Sequence, residues 1–408
     1  MHDVSVAAAL PGPLHYAPFR RALIARTVSA AGSWMQTVAA GWLIFDLTGD
    51  AAAVGVLTFL SRGPGMVLSA YGGELADRYE RRRLVVQLYF CQAVPAALLA
   101  FVAWEDISRV TEVYIATFFI GLAGALASPA MQQLVVATVP PELRKEATGL
   151  GSVSYNTARL IGPAIGGGLV AAIGPGPCFA INALSYFAVI LAVATLPASA
   201  GAAPRMHTQI RAAVSEARLD PILRGLILGA VLFSILVAPV QELAPAIARR
   251  HGDGAHLLGF LLTALAAGGL VGNLVRARLD RRGVPVEKAI AGSLFLCAAT
   301  LLAVAATSNY AVVLVAMLAC GAAWDVLYVD SLTGVQFADP RLSGLMTGLF
   351  FSGTLGGVTL GALAVGALFD TIGVGGGLTV CAVATALCGA WAARQPSAAE
   401  PGPRVREA

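Results

Sequence analysis

The 408-residue chain is 57% hydrophobic and 12% charged, about half the charged share of an ordinary soluble domain. That balance excludes a water-soluble helical protein, whose helices would need polar faces, and stretches such as "AVVLVAMLAC" have none. The formal net charge of +4 does not imply a nucleic-acid partner, because the placement of the basic residues follows a membrane topology instead.

A membrane-spanning helix needs roughly 20 apolar residues, and about twelve such stretches follow one another along the chain. They fall at 23–45, 52–75, 84–104, 112–138, 147–171, 178–196, 222–244, 256–275, 287–307, 310–336, 342–369 and 374–393. The start "MHDVSVAAALPGPLHYAPFRR" lacks a basic region followed by an apolar core, so no cleaved signal peptide is expected and the first span serves as its own insertion signal. After the second span comes "GGELADRYERRR" (72–83), dense in charge for this chain. After the sixth comes the longest polar interval, 197–221, which is small and proline-rich at first and then amphipathic and charged. It divides the spans six and six. The expected organisation is a first six-helix bundle at 1–196, a linker at 197–221, a second bundle at 222–394 and a tail at 395–408.

With the N-terminus inside, Arg78, Arg81, Arg82, Arg83, Arg144, Lys145, Arg278, Arg281, Arg282 and Arg394 all fall on the cytoplasmic side, and the external loops keep only Arg109, Arg249 and Arg250. This asymmetry orients the chain with both termini cytoplasmic in a bacterial-type inner membrane. The halves also echo each other. A shift of 200 aligns Gly72 with Gly272, Arg78 with Arg278, Glu80 with Asp280, and Arg81 and Arg82 with Arg281 and Arg282, while Asp77 faces Ala277. Parallel six-helix repeats joined by a polar linker are the construction of transporters that rock one half against the other.

The run Gly73-x-Leu75-Ala76-Asp77-Arg78-x-x-Arg81-Arg82 resembles the signature loop of the major facilitator superfamily. The resemblance implies a twelve-helix, all-α integral membrane fold in two six-helix pseudo-repeats, with the aspartate and arginines latching the halves on the cytoplasmic side. Charge-assisted bonds suit that role, and the alternative is a basic loop that only sets topology. "RLIGPAIGGGLVA" (159–171) is similar to the glycine-proline motif of exporters in this superfamily, through Gly162, Pro163, Gly166 and Gly167. Together with "CFAINALSYFAV" and "GAAWDVLYVDSLTGVQFADP", it looks like the branch that holds the enterobactin exporter and related secretion and drug-efflux proteins. Two departures from that branch stand out. Ala277 removes the second-half aspartate, and "RLSGLMTG" leaves only Arg341 as a latch beside it, so the cytoplasmic gate is expected to rest on Asp77.

Ionisable groups at membrane depth are functional candidates until a partner accounts for them. Arg62, Arg159 and Asp325 lie near the middles of spans two, five and ten, Asp330 lies nearer the cytoplasm, and Glu242 sits near the outer end of span seven. In the family the first, fourth, seventh and tenth spans line a central cavity, flanked by the second, fifth, eighth and eleventh, which places all five on its wall. Asp325, with Asp330, is the candidate for proton coupling, because a carboxyl group is neutral when protonated in a dehydrated cavity and charged when water or an arginine reaches it. Two other readings stay open for Asp325: a fixed pair with Arg159 or Arg62, or direct contact with a cationic substrate. Gln36 and Asn156 are the uncharged cavity candidates, with interhelical hydrogen bonding as their alternative.

The expected function is secondary active export of a drug, siderophore or other small organic molecule in exchange for protons. A proton-coupled uptake symporter and a non-transporting sensor on the same fold are the alternatives. No Walker motif appears, the five histidines lie in tails or loops, and the six cysteines sit singly in apolar spans without a CxxC pair. No catalysis, metal or cofactor is therefore expected, and the expected partners are the lipid bilayer, protons and a small-molecule substrate, with the chain acting as a monomer.

Overall fold

A computed structural model describes residues 12–105, 107, 109–196, 221–252, 254–338 and 343–394, except for the side chains at 67, 69–70, 72–74, 77, 221–224, 337–338 and 343–345. The linker at 197–220, the tail from 395 onward and Arg341 lie outside the described residues. No strand occurs among those described.

The first six helices are α1 (Ala17–Thr48), α2 (Ala51–Arg78), α3 (Arg81–Trp104), α4 (Val110–Val136), α5 (Arg144–Ile173) and α6 (Gly176–Ala194). Helix α1 ends at Gly49, whose φ of 73° closes the last turn in the left-handed region that favours glycine. Prolines 64, 95, 129 and 163 lie inside α2, α3, α4 and α5, where neighbouring helices can satisfy the backbone groups they free.

The second six begin with a broken helix. Helix α7 (Pro221–Leu236) stops where Val237 N and Ala238 N both donate to Phe233 O. Two short helices follow, Pro239–Glu242 and Ala244–Arg249, each with a proline in its first turn. Then come α8 (Ala255–Arg281), α9 (Val286–Ala306) and α10 (Tyr310–Ala338). The last helical run, Ser343–Ala393, breaks at Gly373 (φ 77°, ψ 159°) into α11 (343–372) and α12 (374–393). This makes twelve transmembrane helices. Eight apolar segments emerge on length and hydropathy alone, one of which, Met346–Ala393, is long enough for two crossings. The helices not among them are α1, α2 and α5, which carry Arg26, Arg62 and Arg159.

Within the first six, α1 packs on α5 and α6, α2 on α4, and α3 on α4 and α6; within the second, α8 and α9 pack on α10, and the Ser343–Ala393 run packs on α7 and α9. The repeat reaches the packing itself. A methyl group at Gly121 of α4 would collide with the Ser61 carbonyl oxygen of α2, and one at Gly321 of α10 with the Leu265 carbonyl oxygen of α8. The two glycines are again 200 positions apart, so equivalent helix crossings in both halves need a residue without a side chain.

Two seams join the halves, α2 against α11 and α5 against α8. Even-numbered crossings place the loops after α2 and α10 and the described chain ends on one face, called here the terminal face, and the tight turns after α1, α5 and Gly373 on the other, the distal face. On the distal side a single apolar core runs through both halves, from Val38, Val54 and Phe179 to Leu243, Leu261 and Leu378. Toward the terminal face the core divides in two: Phe19, Leu134 and Val193 in the first half, Val335, Met346 and Phe350 in the second. The halves are joined on the distal side and parted on the terminal side.

Candidate functional site

Between the parted halves lies a cavity of about 1310 Å³. Its walls reach the second turns of α5 and α11 at Thr148 and Gly348, and it ends inward at Arg62, Arg159, Gln241 and Glu242. It therefore opens toward the terminal face and closes near mid-membrane.

A chain of four side chains makes the closure. Arg159 Nη2 donates to Gln241 Oε1 at 2.8 Å, Gln241 Nε2 donates to Glu242 Oε1 at 3.1 Å, and Arg62 Nη2 donates to the same oxygen at 2.9 Å. Each arginine belongs to the first half, and each acceptor sits on the short helix beyond the break in α7. The two acceptors are consecutive residues of that short helix, splayed by about 100°, so they face two different helices of the first half. The Arg159 guanidinium also lies between two indoles, 5.8 Å from the Trp34 ring and 5.7 Å from the Trp324 ring. Glu242 has 6% of its side chain exposed and Arg62 has 32%, so the pair keeps one edge on the cavity water.

Asp325 lies on the cavity wall, and its Oδ2 is buried without a hydrogen-bond partner among the described residues. A fixed pair with Arg62 or Arg159 is not what forms, since those guanidiniums bond Glu242 and Gln241. Asp330 is corrected from a cavity position: it is buried and accepts from Arg276 Nε at 2.5 Å. Placed five residues beyond Asp325, it turns toward α8, where Arg276 neutralises it.

Asn156 lines the cavity. Gln36 does not line the main cavity but lines a smaller hollow beside it, and its Oε1 accepts from Asn182 Nδ2 at 2.7 Å, which ties α1 to α6. In the glycine-proline run, added methyl groups at Gly162 and Gly166 would meet α1 backbone and Cβ atoms, 2.6 Å from Trp34 Cβ and 2.9 Å from Met35 Cα. Gly167 would meet Gly259 Cα of α8 at 2.7 Å, and Gly259 would in turn meet Pro163 O at 2.7 Å. The motif thus lets α5 lie directly on both α1 and α8.

Of the expected gate, Gly73 and Asp77 lie in α2 with side chains outside the described set, and Arg78 is exposed at its end. Arg81 Nε donates to Ala76 O and Arg82 Nη1 to Leu196 O, while Glu80 lies 3.4 Å from Arg82 and 3.3 Å from Arg83. These contacts stay within the first half.

Further bonds across the halves lie on the distal side, and sequence reading did not anticipate them. Both carboxylate oxygens of Asp370, near the end of α11, accept from the first backbone amides of α2, Ala51 N and Ala52 N, each at 2.8 Å. These are orphan donors of a helix N-terminus, where negative charge is favoured. Arg249 reaches Asp46 at 3.4 Å and lies 5.6 Å from the Trp42 ring. Asp370→Asn keeps one acceptor but loses the charge and the second bond. It is expected to raise labelling of cysteines placed along the distal α2–α11 seam several-fold, measured with a membrane-impermeant maleimide; unchanged labelling would show that the apolar core alone holds that side closed.

Twelve helices in two pseudo-equivalent sixes, enclosing a cavity that opens to one face only, define a transporter of the major facilitator superfamily. The chain belongs to the transmembrane secretion effector family, whose model matches residues 8–398. It is 25% identical over 397 residues to the multidrug efflux pump Tap of Mycobacterium tuberculosis, with 93% of each chain covered. It is 27% identical over 271 residues to the enterobactin exporter EntS of Shigella boydii, with 65% of each covered. Among solved structures, a variant of the nucleoside transporter NupG superposes with a TM-score of 0.72 at 13% identity, covering 92% of this chain and 99% of that one.

Proposed function

We propose that the protein is a proton-coupled exporter that takes an amphipathic organic molecule from the cytoplasm. The observation that carries this reading is Asp325, a carboxylate with a buried, partnerless oxygen on the wall of a cavity open to the terminal face. With that face cytoplasmic, as the distribution of arginines indicates, the structure is inward-open and ready to load. A carboxyl group without a fixed partner can exchange its proton as substrate and water come and go, and such exchange is what antiport requires.

The cavity suits an amphipathic cargo, because Trp34, Tyr155, Trp324, Tyr328 and Phe351 stand beside two arginines and the carboxylates. The activities of the relatives, multidrug efflux and enterobactin export, support export as the direction. In this reading substrate loading weakens the distal bonds, and the loop holding Asp77, Arg78, Arg81 and Arg82 closes the cytoplasmic side as the halves rock.

The test is efflux of ethidium and a panel of fluorescent drugs from a bacterial host stripped of its own pumps, with and without protonophore. Acid-inside inverted vesicles then separate direction from expression. Accumulation in those vesicles that collapses with the pH gradient is the expected result; accumulation only in right-side-out vesicles would assign an uptake symporter instead.

A further inference from the structure

A second hollow, of about 400 Å³, opens off the main cavity into the first six helices, between α1, α2, α3, α4 and α6. The two share Arg26, Trp34, Arg62, Tyr155 and Glu242 at their junction. Beyond the junction the lining residues carry no charge, and Ser29, Ser33, Gln36, Thr58, Ser61, Gln92 and Thr117 line it among small and aliphatic side chains. A void meant only for apolar packing would not be lined this way.

The hydrogen bonds of that wall define what it can accept. Thr58 Oγ1 donates to Val54 O at 3.1 Å, Ser61 Oγ to Thr58 O at 3.0 Å and Gln92 Nε2 to Leu88 O at 3.3 Å. These groups give their protons to their own helix backbones, so they offer the hollow acceptor lone pairs. Thr117 is 7% exposed, and its Oγ1 is buried with no partner among the described residues. Buried hydroxyls are almost always hydrogen-bonded, so a partnerless one facing a hollow marks the place of an absent group.

We propose that this hollow is a substrate subsite for a neutral, hydroxyl-bearing group, such as a sugar or another polyol, at one end of the transported molecule. With no cation beyond the junction, the lining has nothing to neutralise a carboxylate or phosphate. A cationic amine must pass Arg26 and Arg62 at the junction, where Glu242 is already engaged by Arg62 and Gln241. A hydrocarbon group would leave the wall's lone pairs dry. Hydroxyl groups donate to the wall and accept from Thr117, which satisfies both sides.

The assignment rests on the transport reading of the main cavity, and it is tested by binding rather than flux so that the two can fail separately. The protein is placed in lipid nanodiscs free of alkyl glycosides, whose headgroups would compete, and titrated with 4-methylumbelliferyl β-D-glucoside or with 7-methoxy-4-methylcoumarin. Energy transfer from tryptophan reports binding, with Trp34 lining both hollows. The glucoside is expected to bind more tightly than the methoxycoumarin. Thr117→Val, equal in size but without the hydroxyl, is expected to weaken the glucoside about three- to tenfold and leave the methoxycoumarin unchanged, while Thr117→Ser restores the glucoside. Ser29→Ala gives the same comparison should Thr117→Val not fold. Failure to bind the glucoside, or equal shifts for both probes, overturns the subsite and leaves the hollow to water. Glucoside binding without proton-driven flux would sink the exporter and keep the subsite.

Discussion

Asp325→Asn is expected to reach the membrane in wild-type amount, with unchanged thermal stability, and to show protonophore-sensitive efflux no higher than that of cells carrying an empty vector. The substitution keeps the side chain's size and removes its ability to bind and release a proton. Because Asp325 makes no ion pair among the described residues, its neutralisation strands none of their arginines. Asp330→Asn is the contrasting case. It abandons Arg276, 27% exposed against the 5% of Asp330, and breaking a buried pair from one side is destabilising. Its expected signature is a lowered melting temperature in detergent, with efflux falling in step with the amount of folded protein. Full proton-driven efflux in the Asp325→Asn variant would remove this carboxylate from the coupling step.

Gly268→Ala carries the largest expected effect on stability. Its methyl group would strike the carbonyl oxygen of Leu318 on α10, and a backbone oxygen cannot turn away as a side chain can. Relief requires α8 and α10 to separate along a crossing that also holds Gly272 and Gly321, and overpacking of this kind costs about 3 kcal/mol. Gly292 of α9 is the control, since nothing lies within 4 Å of a methyl group there and alanine is the better helix former by about 1 kcal/mol. Fluorescence-detected size exclusion after heating should show Gly268→Ala aggregating at markedly lower temperature, and Gly292→Ala matching or exceeding wild type. Equal curves for the two variants would mean that the α8–α10 crossing tolerates a wider spacing than its glycines indicate.

Charge against an apolar background is what made part of this site legible in the sequence. Arg62, Arg159, Glu242 and Asp325 stood out because ionisable residues are rare at membrane depth, and all four line the cavity. Direction around the helix was not legible, because spans this apolar have no polar face to set their rotation. Gln36 therefore turned out to bond Asn182, and Asp330 to pair with an arginine of α8. Trp34, Trp324, Gln241 and Thr117 carried no signal at all: single aromatic or amide residues in apolar spans are ordinary, and only the fold brings them to a common space. Gln241 depended on the break in α7, where the expected span at 222–244 proved to be a helix to Leu236 followed by two short pieces ending at Arg249. Asp370 sat where a loop was expected, whereas the helical run continues to the break at Gly373 and places its carboxylate on the start of α2.

The two seams between the halves are built of different materials. At α2–α11 the distal end is fastened by a carboxylate on a helix terminus, a bond with direction that is either made or lost. At α5–α8 the closest contact is backbone on backbone, Gly167 against Gly259, and the seam carries no charged bond among the described residues, only a long one from the Thr263 hydroxyl to the Leu160 carbonyl oxygen at 3.4 Å. Small rotations there exchange one van der Waals contact for another at little energy. The molecule thus has the makings of a door, with a clasp on one edge and a hinge on the other, and a helix pair that must stay in touch throughout the swing is best served by residues that present no side chains to catch.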